Sequence, residues 1–294
     1  MSVQKKSNHF QPRNICIIYR PQTALAVEKA RLLAKHLVAR KFKVFSAPKQ
    51  SLVSGCMQVS ARSLKSLDWV IALGGDGTYL SAVKMLKGNH TPILGVNMGS
   101  LGFLTSVKSK DLFKAVELTL QHKMEFRPRA QLHLTIKRNG KVRDEIIALN
   151  DAVVERGRSE HLIGLAIYSQ KALVSEYKAD ALIIATPTGS TAYNLAAGGP
   201  ILHPDVKAVV LTPVCPHALT SRPLIFPDDL QLSLRLLPKS KNAALVVDGT
   251  NCGELTNEDE VVVVRHDVNH FVIRNPGHNY FTLLREKLKF GERS

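Results

Sequence analysis

The stretch WVIALGGDGTYLSAVKML, residues 69–86, decides how the first half of this chain is read. Trp69, Val70, Ile71 and Ala72 make the short apolar run of a fully buried strand, and residues 79–86 carry helical spacing. Between them Leu73, Gly74, Gly75, Asp76, Gly77 and Thr78 turn strand into helix. Glycine admits positive φ and lets a ligand approach the backbone, and free amides at a helix start carry partial positive charge. The loop is therefore expected to hold phosphate. Asp76 is the odd member, because a carboxylate beside phosphates is repelled unless a cation bridges them or a substrate hydroxyl lies between as donor. Metal holding, base chemistry and simple capping of Thr78 all remain open to it here.

Working outward, residues 14–19 are a β-branched run, and Leu25, Leu32, Leu33 and Leu37 stripe a helix that Thr23 is placed to cap. Residues 42–45 and 92–96 read as further strands, 112–120 as a helix, and 63–67 fit either. Strands alternating with helices predict an α/β domain with a parallel, doubly wound sheet, whose ligands gather at the carboxyl ends of strands. Near residues 124–129 the pattern changes. Leu132, Leu134 and Ile136 alternate with polar residues, Asn139 and Gly140 signal a hairpin, and short strand-like runs follow at 162–168, 182–185, 209–211, 230–236, 245–247, 261–264 and 271–273. The second half is thus mostly β, and a helix near 280–288 is expected to return to the first domain. The implied domains are 1–125, 126–275 and 276–294.

Forty Lys and Arg against 24 Asp and Glu leave a formal charge of +16 in 294 residues, which points to an anionic partner. The charges lie in separate clusters: Lys5 and Lys6; Lys29, Arg31, Lys35, Arg40 and Lys41; and Arg285, Lys287 and Lys289. Such clusters are ordinarily solvated faces, and no helix-turn-helix, zinc-finger or aromatic-rich RNA-binding signature accompanies them, so no nucleic-acid partner is expected. Cys16, Cys56, Cys215 and Cys252 form no C-x-x-C pair and are expected reduced and at least half-buried. No apolar run approaches the roughly 18–20 residues of a membrane span. A soluble, cytoplasmic protein is the expectation.

The second half carries its own dense stretch: Thr186, Pro187, Thr188, Gly189, Ser190, Thr191, Ala192 and Tyr193, followed by Gly198, Gly199 and Pro200. Hydroxyls and small residues in this density offer donors with little bulk, as close contact with a nucleotide requires. An irregular turn capped by Ser190 or Thr191 is the plainer alternative. One such cluster in each half suggests a cleft between domains.

At this point the residues resemble the NAD kinase family in its bacterial form. The resemblance rests on GGDGT at 74–78, NMGSLGFL at 97–104, the pair Asn150 and Asp151, and TPTGSTAY at 186–193 with its GGP, and it runs from about residue 14 to 290. GGDG loops also occur in diacylglycerol and sphingosine kinases and in phosphofructokinase-like enzymes; the second stretch is the specific one. The resemblance implies phosphorylation of the 2′-hydroxyl of the adenosine ribose of NAD by ATP or polyphosphate, giving NADP, with a divalent cation, Mg²⁺, and a homo-oligomer, dimer or tetramer, whose neighbours help complete the site. It implies Asp76 as proton acceptor with Gly77 beside it, Asn150 and Asp151 on the ribose hydroxyls, and His161 as a further NAD contact. Lys178, Asp180, Thr191, Ala192, Tyr193, Asn194, Leu195, Ala196 and Thr250 correspond to positions around the two halves of the dinucleotide. It names no direct metal ligand.

The chain departs from the family at Ala181, where Asp-Gly is frequent, at Lys178, and at Thr250, where Gln is common. A lone histidine such as His161 has a bland reading as a packed surface residue. The chemistry is consistent with physics: phosphoryl transfer runs through a loose transition state, so positioning and charge neutralisation outweigh early proton removal. No P-loop lysine motif is present. A lipid kinase sharing the loop would need a membrane-facing apolar surface that is not evident, and a nucleic-acid-binding protein would explain +16 but not the paired motifs.

Overall fold

The computed structural model describes residues 11–157, 161–240, 242–277 and 279–289; Lys5, Lys6 and Phe290 lie outside them. The chain divides into two compact units. One takes the described residues up to Pro128 and those from His270 onward, and the other is Arg129–Asn269.

The first unit begins with β1 (Asn14–Tyr19), α1 (Ala24–Ala39), β2 (Lys43–Ser46), β3 (Met57–Gln58), α2 (Ala61–Leu64), β4 (Trp69–Gly74), α3 (Asp76–Leu86), β5 (Ile93–Asn97), β6 (Val107–Lys108), α4 (Leu112–Leu120) and β7 (Glu125–Arg129). The second unit follows with β8 (Leu132–Arg138), β9 (Lys141–Ala148), β10 (Asp151–Glu155), β11 (Ile163–Ser169), β12 (Ala172–Ala179), β13 (Ala181–Ala185), α5 (Tyr193–Ala196), β14 (Ala208–Val214), β15 (Leu224–Pro227), β16 (Leu232–Leu236), β17 (Asn242–Val247), β18 (Thr250–Thr256) and β19 (Asp259–Arg265). Finally β20 (His270–Arg274) and α6 (Tyr280–Leu288) rejoin the first unit.

The first sheet runs β3-β2-β1-β4-β5-β20-β7, with β6 also on β5. All six residues of β4 are buried, which is why its sequence shows no alternation. Ile15, Ile17, Trp69, Ile71, Leu73, Leu94 and Val96 share one core with Ala26, Ala30, Leu33 and Leu37 of α1 and Leu112, Ala115 and Val116 of α4. Tyr79, Ala82, Val83 and Leu86 bury the inner stripe of α3. The parallel pairing of β4 with β5 sets Gly74 opposite Asn97, so the loops leaving these two strands emerge side by side at their carboxyl ends.

The second unit is a pair of six-stranded sheets, β15-β14-β13-β10-β17-β18 and β12-β11-β16-β19-β8-β9. Alternate residues of both fill a common core: Leu132, Leu134 and Ile136 from β8, Leu165 and Ile167 from β11, Ala152 and Val154 from β10, and Leu245 and Val247 from β17. On the opposite face of the first of these sheets, Val153, Ile183 and Val210 are covered by Ala197 and Leu202. The Asn139–Gly140 hairpin forms as expected, with φ of 50° and 77°. Asp259 ties β8, β9 and β19 together, taking Arg138 through both carboxylate oxygens at 3.0 and 2.8 Å and Arg143 at 3.3 Å.

Several expectations need correction. The boundaries at 125/126 and 275/276 differ from the observed units because β7 and β20 join the first sheet; β20 pairs parallel to β5, with Val272 opposite Ile93. A five-residue strand reads the same whichever sheet receives it. Thr23 stands at the start of α1 but its side chain makes no capping bond, whereas Ser60 and Ser63 form a capping box on α2 in the stretch that had fitted either reading. Cys215 is exposed; Cys16 is buried, which pushes its thiol up to about 12.

The returning strand is tied to α3 by a buried pair, in which Tyr79 Oη lies 2.7 Å from His270 Nε2. Tyr79→Phe removes that contact from a dry site, where loss of a partner costs about 1–3 kcal/mol. The expected result is a melting temperature lower by several degrees with the circular dichroism spectrum unchanged. Equal melting temperatures would show that the pair contributes nothing to stability.

Candidate functional site

In the first unit, Asp76 is the first residue of α3, and its carboxylate does not cap that helix. It instead receives the loop that follows β5. Phe103 N–H donates to Oδ2 at 2.8 Å, while Leu104 N–H, Thr105 N–H and the Thr105 hydroxyl donate to Oδ1 at 3.1, 3.1 and 2.9 Å. Asn97 shapes the same loop, accepting from Gly99 N–H at 2.6 Å and donating to the Ser100 carbonyl and to Thr105 Oγ1. Gly102 allows this wrapping, since a Cβ there would lie 2.0 Å from Asp76 Oδ1. None of Gly74, Gly75 and Gly77 has positive φ, so the first of the two expected uses of these glycines is not realised. A Cβ on Gly75 or Gly77 would meet nothing within 4 Å, so these two residues keep an open backbone face bare. The C-terminal helix reaches this loop: Lys287 Nζ stands 6.0 Å from the centre of the Phe103 ring.

In the second unit, the corner between β9 and β10 is clamped from both flanking strands. On one side β10 pairs with β17, Ala152 opposite Val247, which brings Asp248 to the corner. The Asp248 carboxylate accepts from Leu149, Asn150 and Asp151 N–H at 2.8, 2.7 and 3.1 Å. On the other side β10 pairs with β13, Asp151 opposite Ala185, so Thr186 follows at the corner. Thr186 N–H donates to the Asn150 carbonyl at 2.8 Å and its hydroxyl to the Leu149 carbonyl at 2.6 Å. Gly189 lies so close that a Cβ would meet the Asn150 carbonyl oxygen at 2.0 Å.

With its backbone fixed, the corner presents two unusual side chains. Asn150 Oδ1 is buried and has no hydrogen-bond partner among the described residues. The Asp151 side chain is buried, and desolvation, reinforced by the charge of Asp248, raises its carboxyl to about 7. Burial also raises the carboxyl of Asp248, against the opposing effect of the three amides.

The remaining expected residues divide. Tyr193 is half-exposed, and its hydroxyl is raised first by burial and then by nearby Glu155, Cys215, Asp180 and Asp151, which places it with Asp180 and Asp151. Asp180 pairs with Arg156 at 3.3 Å, and Arg156 and His161 line a pocket of about 480 Å³ with Lys239, Asn242 and Glu254. Lys178 has an exposed side chain on β12, and Thr250 opens β18 just beyond the Asp248 turn. Thr191, Ala192 and Leu195 are partly exposed and Ala196 exposed. Asn194 is different: it is fully buried, donates to the Ser190 and Pro200 carbonyls at 3.1 and 3.0 Å, and accepts from the Thr212 hydroxyl at 2.6 Å. Its side chain therefore ties the turn together. Asp248 was missed, since an Asp-Gly pair between strands reads only as a hairpin turn. Among the described residues no group of three or more His, Cys, Asp or Glu is placed to hold a metal ion. No helix among them is long and apolar enough to cross a membrane.

Two family models match the chain, one within the first unit and one that covers most of the second and runs on through β20. The ATP-NAD kinase N-terminal domain matches residues 15–124 and the ATP-NAD kinase C-terminal domain matches residues 149–274. This chain belongs to the NAD kinase family. The NAD kinase of Bdellovibrio bacteriovorus is 53% identical over 282 residues, covering 96% of this chain and 93% of that protein. The NAD kinase of Geobacter metallireducens is 40% identical, over 77% of this chain and 80% of that protein. Among solved family structures, the yeast NADH kinase complexed with NADH superposes with a TM-score of 0.88 at 27% identity, covering 97% of this chain and 90% of that one. The NAD kinase from Archaeoglobus fulgidus in complex with ATP shares the fold, with a TM-score of 0.70 at 21% identity over 93% and 99% of the two chains.

Asp151 makes a pH prediction. Its carboxyl stays protonated in the folded chain up to about 7 but ionises near its ordinary value when unfolded. The folded state therefore binds more protons between about pH 4 and 7, so the contribution is fully present below that window and lost as pH rises through it. Relative to Asp151→Asn, the wild-type chain should lose a stability component of the order of a few kcal/mol between pH 4 and 7. Thermal melting of both proteins without substrate across that range measures the difference. Parallel melting curves would mean that Asp151 ionises normally.

Proposed function

We propose that this chain is an NAD kinase that transfers a phosphoryl group from ATP or polyphosphate to the 2′-hydroxyl of the adenosine ribose of NAD, giving NADP. Family membership supplies the reaction, and one observation ties it to this chain's residues. Asn150 Oδ1 is a buried acceptor lacking a donor, and an unsatisfied buried polar atom costs about 1–3 kcal/mol unless a ligand completes it. A ribose hydroxyl is such a donor. Beside it, Asp151 holds its proton to near neutrality and can itself donate to or accept from a neighbouring hydroxyl.

In this reading Asp76 orients the attacking hydroxyl through Oδ2, which takes one bond and retains capacity for another. The hydroxyl oxygen attacks phosphorus, the bond from phosphorus to the donor's leaving oxygen breaks, and the hydroxyl proton passes late to the Asp76 carboxylate. The bare backbone at Gly75 and Gly77 leaves room for the donor's phosphates. Those phosphates would carry the divalent cation, Mg²⁺. Mg²⁺ is usually bound through one or two carboxylates together with substrate phosphates, and the Asp76 carboxylate beside the glycines would be the protein group nearest to such an ion. When bound, the ion neutralises phosphate charge.

The test is NADP formation by the purified full chain from NAD and Mg²⁺, with ATP and polyphosphate offered in parallel. Product with at least one donor is expected, and none with either, from folded protein, would overturn the proposal. Asp76→Asn should lower kcat by about 10² with NAD affinity nearly unchanged. A near-normal kcat would leave Asp76 as a holder of the 103–105 loop and nothing more.

A further inference from the structure

Resting on that reading, we propose that Asp248 is the positioning residue of the acceptor site: its carboxylate sets the backbone at 149–151 and thereby presents Asn150 Oδ1 and the Asp151 side chain to the ribose. Asp248 and Gly249, with φ of 46° and 73°, form a two-residue turn between Val247 and Thr250, which face each other across the hairpin. Such a turn is served equally well by Asn-Gly, which carries no charge. The chain instead places a partly buried carboxylate there, and desolvation holds its proton affinity above the ordinary range even with three amides bound. The turn does not require this. Both oxygens are used, Oδ1 by the amides of Asn150 and Asp151 and Oδ2 by that of Leu149, whereas an asparagine has one acceptor oxygen.

The geometry also explains why the corner needs an outside partner. Leu149 and Asn150 lie between the end of β9 and the start of β10, so their amides fall outside both strands. Thr186 secures the carbonyls of the same two residues. Amides held from one side and carbonyls from the other fix the backbone from which the side chains of 150 and 151 project.

The experiment uses the full chain. Asp248→Ala should raise KM for NAD about ten-fold or more while KM for the phosphoryl donor stays within about two-fold. Asp248→Asn, which suits the left-handed turn and keeps one oxygen for the Asn150 and Asp151 amides, should recover most of that loss. Amide hydrogen exchange without substrates reads the clamp on its own: protection at Asn150 and Asp151 should fall about ten-fold or more in the alanine variant and return in the asparagine variant. Equal changes in both KM values, or unaltered exchange at 149–151 in the alanine variant, would overturn the proposal. Should the wild-type chain form no NADP while exchange behaves as expected, the clamp stands and the kinase reading falls.

Discussion

One arrangement recurs in both units: three consecutive backbone amides converging on a single carboxylate. In the first unit the amides of Phe103, Leu104 and Thr105 meet Asp76; in the second those of Leu149, Asn150 and Asp151 meet Asp248. Bonds to an ionised acceptor are among the strongest a loop can make, roughly twice a neutral pair. They suit loops that must keep a fixed shape outside any ladder. Each wrapped carboxylate is fed by a strand end, Asp76 by β4 and Asp248 by β17, so sheet register transmits directly to loop position.

Seen this way, the glycines divide by task. Gly102 and Gly189 let one piece of backbone lie against another, where a methyl group would collide with Asp76 or with the Asn150 carbonyl. Gly75 and Gly77 face nothing, and their smallness matters on the outside of the loop. Gly74 ends β4 packed against Thr78, and Gly75 alone separates that strand from α3, so the turn from strand to helix is tighter than the expected 73–78 and uses no positive φ.

Much of the architecture was legible because periodicity reports burial. The unbroken apolar run of β4 announced a parallel central strand, and the alternation at Leu132, Leu134 and Ile136 announced a sheet with one face in a core. The α6 helix was legible for the same reason. What escaped was long-range: no local pattern in β20 says that it pairs with β5 instead of with its sequence neighbours, and nothing in an Asp-Gly turn announces contact with residues almost a hundred positions earlier. Asn194 shows the same limit from the other side: the sequence carries no sign that its side chain is fully occupied inside its own turn.

The late return of β20 has a consequence for how the protein is made. Strand β5 is synthesised early and β6 soon meets Val96 and Asn97 on its far edge, but the partner of Ile93 and Leu94 there is not translated until His270–Arg274, after the whole second unit. At about 5–20 residues per second, the nascent chain spends on the order of ten seconds or more with that part of the edge of an apolar parallel sheet uncovered, an invitation to intermolecular strand pairing. The second unit, by contrast, is continuous and can fold as soon as it clears the ribosome. Truncation near the C-terminus would therefore damage the earliest-made part of the molecule, and a slow or stalled ribosome would prolong its dependence on chaperones.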